Sequence, residues 1–173
     1  MFVANLVKYL ALSNVLVVGG IAGSNSIAAQ FQVLRKQIES YNSSISNYDG
    51  SFKTMVPVAM DSIKVHQATR KARKVVEDAD PVRDEDAPAL IQEIGKTHEA
   101  MKDTLDSAAT KDQIADTSGF KQVAALMVIH FTNEQKAMSD ALKGKLPQVT
   151  HGEMEPTQNE ATEYFNTVLK KFS

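Results

Sequence analysis

The sequence predicts an all-α domain, an antiparallel bundle of about five helices, preceded by a secretory signal peptide. Three observations carry that reading. Apolar residues recur at alternating spacings of three and four along nearly the whole chain, the period of helices that bury one face. No segment shows the two-residue alternation of a strand, and eight Gly with no Trp supply too few turn residues for a sandwich or barrel. The chain also lacks Cys altogether, so packing rather than disulfides must hold it.

Residues 1–22 read as the signal. Lys8 provides the positive charge, an apolar stretch follows from Tyr9 to Ala22, and Gly20, Ala22 and Gly23 are small enough for a cleavage site. The apolar run stops short of the roughly 20 residues a membrane span requires, which disfavours an anchor. A single domain over residues 23–173 is then expected, because a chain of this length needs only one core.

The first helix carries Phe31, Leu34, Ile38, Tyr41, Ile45 and Tyr48, and Asn47-Tyr48-Asp49-Gly50 ends it, with Gly50 suited to a left-handed cap. A second is expected from Thr54 to Glu77, with Pro57 in its first turn and Val56, Ala59, Ile63 and His66 on the buried face. The third begins at Asp84 or Asp86 and runs to Ala109 through Leu90, Ile94, His98, Met101 and Leu105. Thr110–Thr117 reads as a polar connection. Ser118 is placed as the N-cap of a fourth helix bearing Phe120, Val123, Met127, Phe131, Met138 and Leu142, which stops between Gly144 and Pro147. Thr157 and Glu160 form a capping-box pattern that opens the last helix, with Ala161, Tyr164, Phe165, Val168, Leu169 and Phe172.

Charge and motif content exclude several function classes. The net charge of −2 at neutral pH favours neither nucleic acid nor an anionic membrane. There is no Gly-x-Ser-x-Gly elbow, no glycine-rich phosphate loop and no Cys nucleophile, and neither His98 nor His130 follows a Glu at di-iron spacing. No cofactor is expected, and the domain reads as non-enzymatic.

Four features remain to be weighed. His66, His98 and His130 fall near the middles of three helices and would converge on a metal only if those helices face one another at equal depth. A half-buried, hydrogen-bonded histidine is the commoner outcome, so no metal site is expected. Arg70–Lys74 is a basic cluster at the end of a helix, where cations complement the dipole and Glu77, Asp78 and Asp80 offset them. Asn42-Ser43-Ser44 is an N-glycosylation sequon beside the first helix's apolar stripe. Met55, Met60, Met101, Met127 and Met138 suit either a filled core or a pocket that adapts to a flexible apolar ligand. Ile63, Ile94, Met101, Leu105, Val123, Met127 and Phe131 are the residues expected to line such a pocket.

The layout resembles a known family. A leading signal, Phe31-x-x-Leu34 through Ile45, the Tyr48-Asp49-Gly50 break, Pro57 opening the next helix and a Cys-free remainder are similar to the fungal hydrophobic-surface-binding protein A family, which includes cell-wall galactomannoproteins. The likeness spans about Ala29 to Phe172. It implies a secreted or cell-wall-associated helical bundle that binds fatty acids or adsorbs to hydrophobic surfaces, in some members assisting a secreted hydrolase. This chain departs from the pattern in its charged Arg70–Lys74 and Glu77–Asp86 segments and in having no Ser/Thr-rich tail. The different-class alternative is a secreted interaction module, an effector or inhibitor with a filled core. No nucleic-acid partner and no span in the mature form are expected.

Overall fold

The computed structural model describes residues 23–172; the expected signal peptide lies outside them. Six α-helices follow one another: α1 (Ser24–Ser46), α2 (Phe52–Asp78), α3 (Ala87–Ala109), α4 (Asp112–Thr117), α5 (Lys121–Lys143) and α6 (His151–Phe172). A 3₁₀ turn at Gln148–Thr150 leads into α6, and no strand occurs among the described residues. The all-α bundle is thus as the periodicity predicts.

The five long helices form a closed ring in the order α1, α2, α5, α6, α3 and back to α1. Only α1–α2 and α5–α6 are ring neighbours that also follow one another in sequence. The α1–α3 seam is parallel: the hydroxyls of Thr97 and Thr104 each lie against an α1 carbonyl, those of Phe31 and Ile38, while also donating one turn back along α3. Such short polar side chains, satisfied within their own helix, let the two backbones approach.

Three element boundaries and one helix face differ from expectation. Segment 110–117 contains α4, a helix of six residues too short to show periodicity, which docks through the buried Ala115. Ser118 is the C-cap of α4, and Phe120 stands at the N-cap of α5. The Ser118 hydroxyl meets that of Tyr48 at 2.5 Å. Helix α6 begins at His151, so Thr157 lies inside it; α3 has Asp86 at its N-cap as expected, although that carboxylate turns to Arg83 and not to the helix end. Finally, the buried face of α2 is Val58, Val65, Thr69, Ala72 and Val76, about one position round from the expected Val56, Ala59, Ile63 and His66. The cause is the buried polar trio of α2, Asp61, Ser62 and Thr69, which makes its inner face read as a wet one. Asp61 accepts from Ser44 at 2.6 Å and from Lys64 at 2.6 Å, and these hydrogen bonds hold its carboxyl below the ordinary range against the opposing effect of burial.

The α1–α2 turn depends on Gly50, whose φ of +89° lies in the left-handed region. A Cβ there would stand 3.1 Å from Ile114 Cγ2 on α4. Lys111 reinforces the turn by donating to the carbonyls of Ser46 and Tyr48, each at 2.9 Å, at the end of α1. Gly50→Ala is therefore expected to cost about 1–2 kcal/mol, read as a lowered denaturation midpoint at unchanged m-value.

Candidate ligand-binding site

The ring encloses two adjoining chambers. The inner one, about 120 Å³, is walled by Phe31, Leu34 and Ile38 from α1, Ile94 from α3, Phe131 and Met138 from α5, and Phe165 from α6. Thr69 is the α2 residue that reaches it. The outer one, about 330 Å³, lies between α3 and α6 and is bordered by Leu105, Lys102, Glu160 and Tyr164. Gly95, His98, Met101, Gln135 and Phe165 border both.

The mouth of the outer chamber is polar. Lys102 Nζ lies 3.3 Å from Glu160 and 5.4 Å from the centre of the Tyr164 ring, whose hydroxyl donates to Asp106. That hydrogen bond, more than burial, pushes the Tyr164 phenol up to about 12. The chamber thus has Lys102 together with the carboxylates of Glu99 and Glu160 at its border, with Met101, Leu105 and Phe165 supplying its apolar wall.

Between the chambers, the carboxamide N–H of Gln135 donates to Nε2 of His98 at 3.1 Å, an assignment that follows from the placed amide. The imidazole proton then sits on Nδ1, which is buried without a partner. Burial holds His98 below its ordinary value, against a smaller raising influence from Glu160.

Of the residues expected to line a pocket, Ile94, Met101 and Phe131 border the inner chamber, and Leu105 joins Met101 in the outer. Met127 borders a separate void of about 40 Å³, its sulfur accepting from the Tyr41 hydroxyl at 3.7 Å. Ile63 and Val123 border none of the three. Ile63 is displaced because the α2 stripe is turned by one position. Gln135, Phe165 and the α1 residues were not expected at the site, although Gln135 carries a signal. It interrupts the apolar series Phe131, Met138, Leu142 at a position that faces inward.

The three histidines do not come together. His66 and His130 make an edge-on ring contact at 5.3 Å, whereas His98 pairs with Gln135, and among the described residues no group of three His, Cys, Asp or Glu side chains is placed to hold a metal ion. Arg73 and Lys74 of the basic cluster are paired, with Glu77 at 2.7 Å and Asp78 at 3.0 Å, and Arg73 also reaches Glu134 at 3.4 Å. Asn42 lies half-buried within α1, its side-chain oxygen enclosed without a partner.

Burial also lowers His66, so both it and His98 are held neutral by the fold. The unfolded chain takes up these protons first as pH falls through about 6.5, and stability declines with it. Thermal melts between about pH 7.5 and 5.5 should show a falling Tm, and His66→Gln with His98→Gln should flatten the curve. A slope unchanged in the double variant would contradict this.

Comparison with known proteins supplies the relatives of this architecture. No curated protein sequence matches the chain significantly. Among solved structures, AfMP4p in complex with palmitic acid superposes with a TM-score of 0.84 at 11% identity, covering 87% of this chain and 99% of that one. Ligand-binding domain 1 of the Penicillium marneffei MP1 protein, complexed with arachidonic acids, gives 0.78 at 14% identity over 84% and 95% of the two chains. Domain 2 of the same protein, complexed with multiple arachidonic acids, gives 0.78 at 13% over 84% and 92%. No helix among the described residues is long and apolar enough to cross a membrane. The family model for hydrophobic surface binding protein A matches residues 24–144, and the chain belongs to that family.

Proposed function

We propose that this domain binds a long-chain fatty acid or similar amphiphile inside the helical ring, without catalysing a reaction on it. The carrying observation is the pair of adjoining chambers, an inner one walled mainly by apolar side chains and an outer one of mixed lining that lies within the roughly 300–1,000 Å³ typical of small-molecule sites. The driving force is burial, about 0.8 kcal/mol for each methylene removed from water. Lys102 stands at the mouth, where a ligand carboxylate would remain in contact with water and compete with Glu160 for the ammonium. The palmitic and arachidonic acid complexes of proteins sharing the fold support the same reading. The two chambers favour this reading over the filled core that an interaction module would have.

The domain is proposed to act after export, which the Lys8-led apolar segment supports; N-terminal sequencing of secreted material should begin near Gly23. A second reading, adsorption through the outer surface, has its own observation: Phe52, Met60, Leu126 and Val149 are apolar side chains at least 55% exposed.

Met101 separates the two readings, because it borders both chambers. Met101→Trp should weaken a fluorescent fatty acid's binding about tenfold or more, at a stability cost of about 1–3 kcal/mol from overpacking. Unchanged affinity in a folded Met101→Trp variant would move binding to the surface.

A further inference from the structure

Helices α3 and α5 are not neighbours in the ring, yet side chains from both meet across its interior where His98 and Gln135 hydrogen-bond at 3.1 Å. Both residues border the inner and the outer chamber. An apolar pair would fill the same wall without leaving Nδ1 of His98 enclosed and unpartnered, so the polar pair is a costly way to make a partition. Beside it the wall is thin. Gly95, one turn before His98 on α3, also borders both chambers, and a Cβ built there would meet nothing within 4 Å.

We infer that the His98–Gln135 hydrogen bond is a latch that sorts ligands by chain length, closed over short amphiphiles and parted by long ones. The inference rests on the fatty-acid reading above. The outer chamber, about 330 Å³, opens at the Lys102 mouth. Octanoic acid fits there with the latch closed. Palmitic acid has twice the chain length, and the Gln135–His98 pair stands in the path of its distal methylenes toward the inner chamber. The carboxylate stays at the Lys102 mouth in both cases, so head-group contacts are shared and the difference between the two acids reports the latch.

The test titrates delipidated wild-type protein and Gln135→Ala with octanoic and palmitic acids, and follows the His98 ring nitrogens of the wild type by NMR. Removing the latch spares the long chain the cost of breaking a hydrogen bond, so Gln135→Ala should tighten palmitic acid and raise the ratio of palmitic to octanoic acid affinity about three- to tenfold. In the wild type, palmitic acid should shift the Nε2 resonance of His98 as its donor leaves, and octanoic acid should not. The wild-type NMR arm decides even if Gln135→Ala fails to fold. Equal changes for the two acids, no tightening of palmitic acid in a folded variant, or a silent His98 on palmitic acid binding would each overturn the latch while leaving fatty-acid binding intact. If neither acid binds the wild type saturably, the fatty-acid reading falls and the latch with it.

Discussion

Val65→Asp is expected to unfold the bundle, while Ile63→Asp leaves it folded. Val65 is fully buried on the inner stripe of α2, whereas Ile63, two residues earlier, is half-buried and lies off that stripe. An unpaired carboxylate at Val65 has no partner of the kind that Asp61 finds in Ser40, Ser44 and Lys64. Its burial costs several kcal/mol against a total stability of about 5–15 kcal/mol, enough to remove most of the folded population. Far-UV circular dichroism and a thermal melt of the two variants check this. Equal melting temperatures would mean that α2 is rotated from the register described.

Phe165→Ala should produce the next largest loss. Phe165 is 2% exposed and is the largest of the fully buried side chains, and it borders both chambers from α6. Truncating a buried Phe costs about 3–5 kcal/mol, because the void left behind relaxes only in part. For a domain of this size that corresponds to a Tm lower by on the order of 10 °C. Palmitic acid should restore part of that loss, since a ligand bound only by the folded state stabilises it by mass action. A Phe165→Ala protein that melts with the wild type would show that α6 does not close the ring. The family match ends at residue 144, before this helix begins, so the element that completes both chambers lies outside the matched segment.

How far the sequence reaches follows from what each residue pattern encodes. The faces of α1 and α5 were legible because their buried positions, Phe31 to Ile45 and Val128 to Leu142, are apolar, and that of α3 because Leu90, Ile94 and Leu105 mark it despite the buried Thr97 and Thr104. The face of α2 was not. There hydrogen bonding satisfies Asp61, Ser62 and Thr69 in the interior, and half-exposed Val56 and Ile63 offer a more apolar but misleading stripe. The start of α6 was hidden by Pro156, which suggests a first turn although it lies five residues into the helix. Thus Ile94, Met101, Leu105 and Phe131 could be placed at the chambers from periodicity, whereas Ile63, Val123 and Met127 could not. Whether the ring is hollow depends on the summed volume of side chains from five helices, which periodicity does not carry. Gln135 was legible in principle, as a polar residue set into an apolar series, but only its pairing with His98 gives that position a meaning.

The most direct test of interior fatty-acid binding is a methyl NMR titration of the protein, labelled at its methionines, with palmitic acid. Met101 and Met138 border the chambers, while Met60 is 55% exposed on the outside of α2. Binding within the ring predicts saturable shifts at Met101 and Met138 with Met60 unmoved. Shifts confined to Met60, or none that saturate, would contradict it.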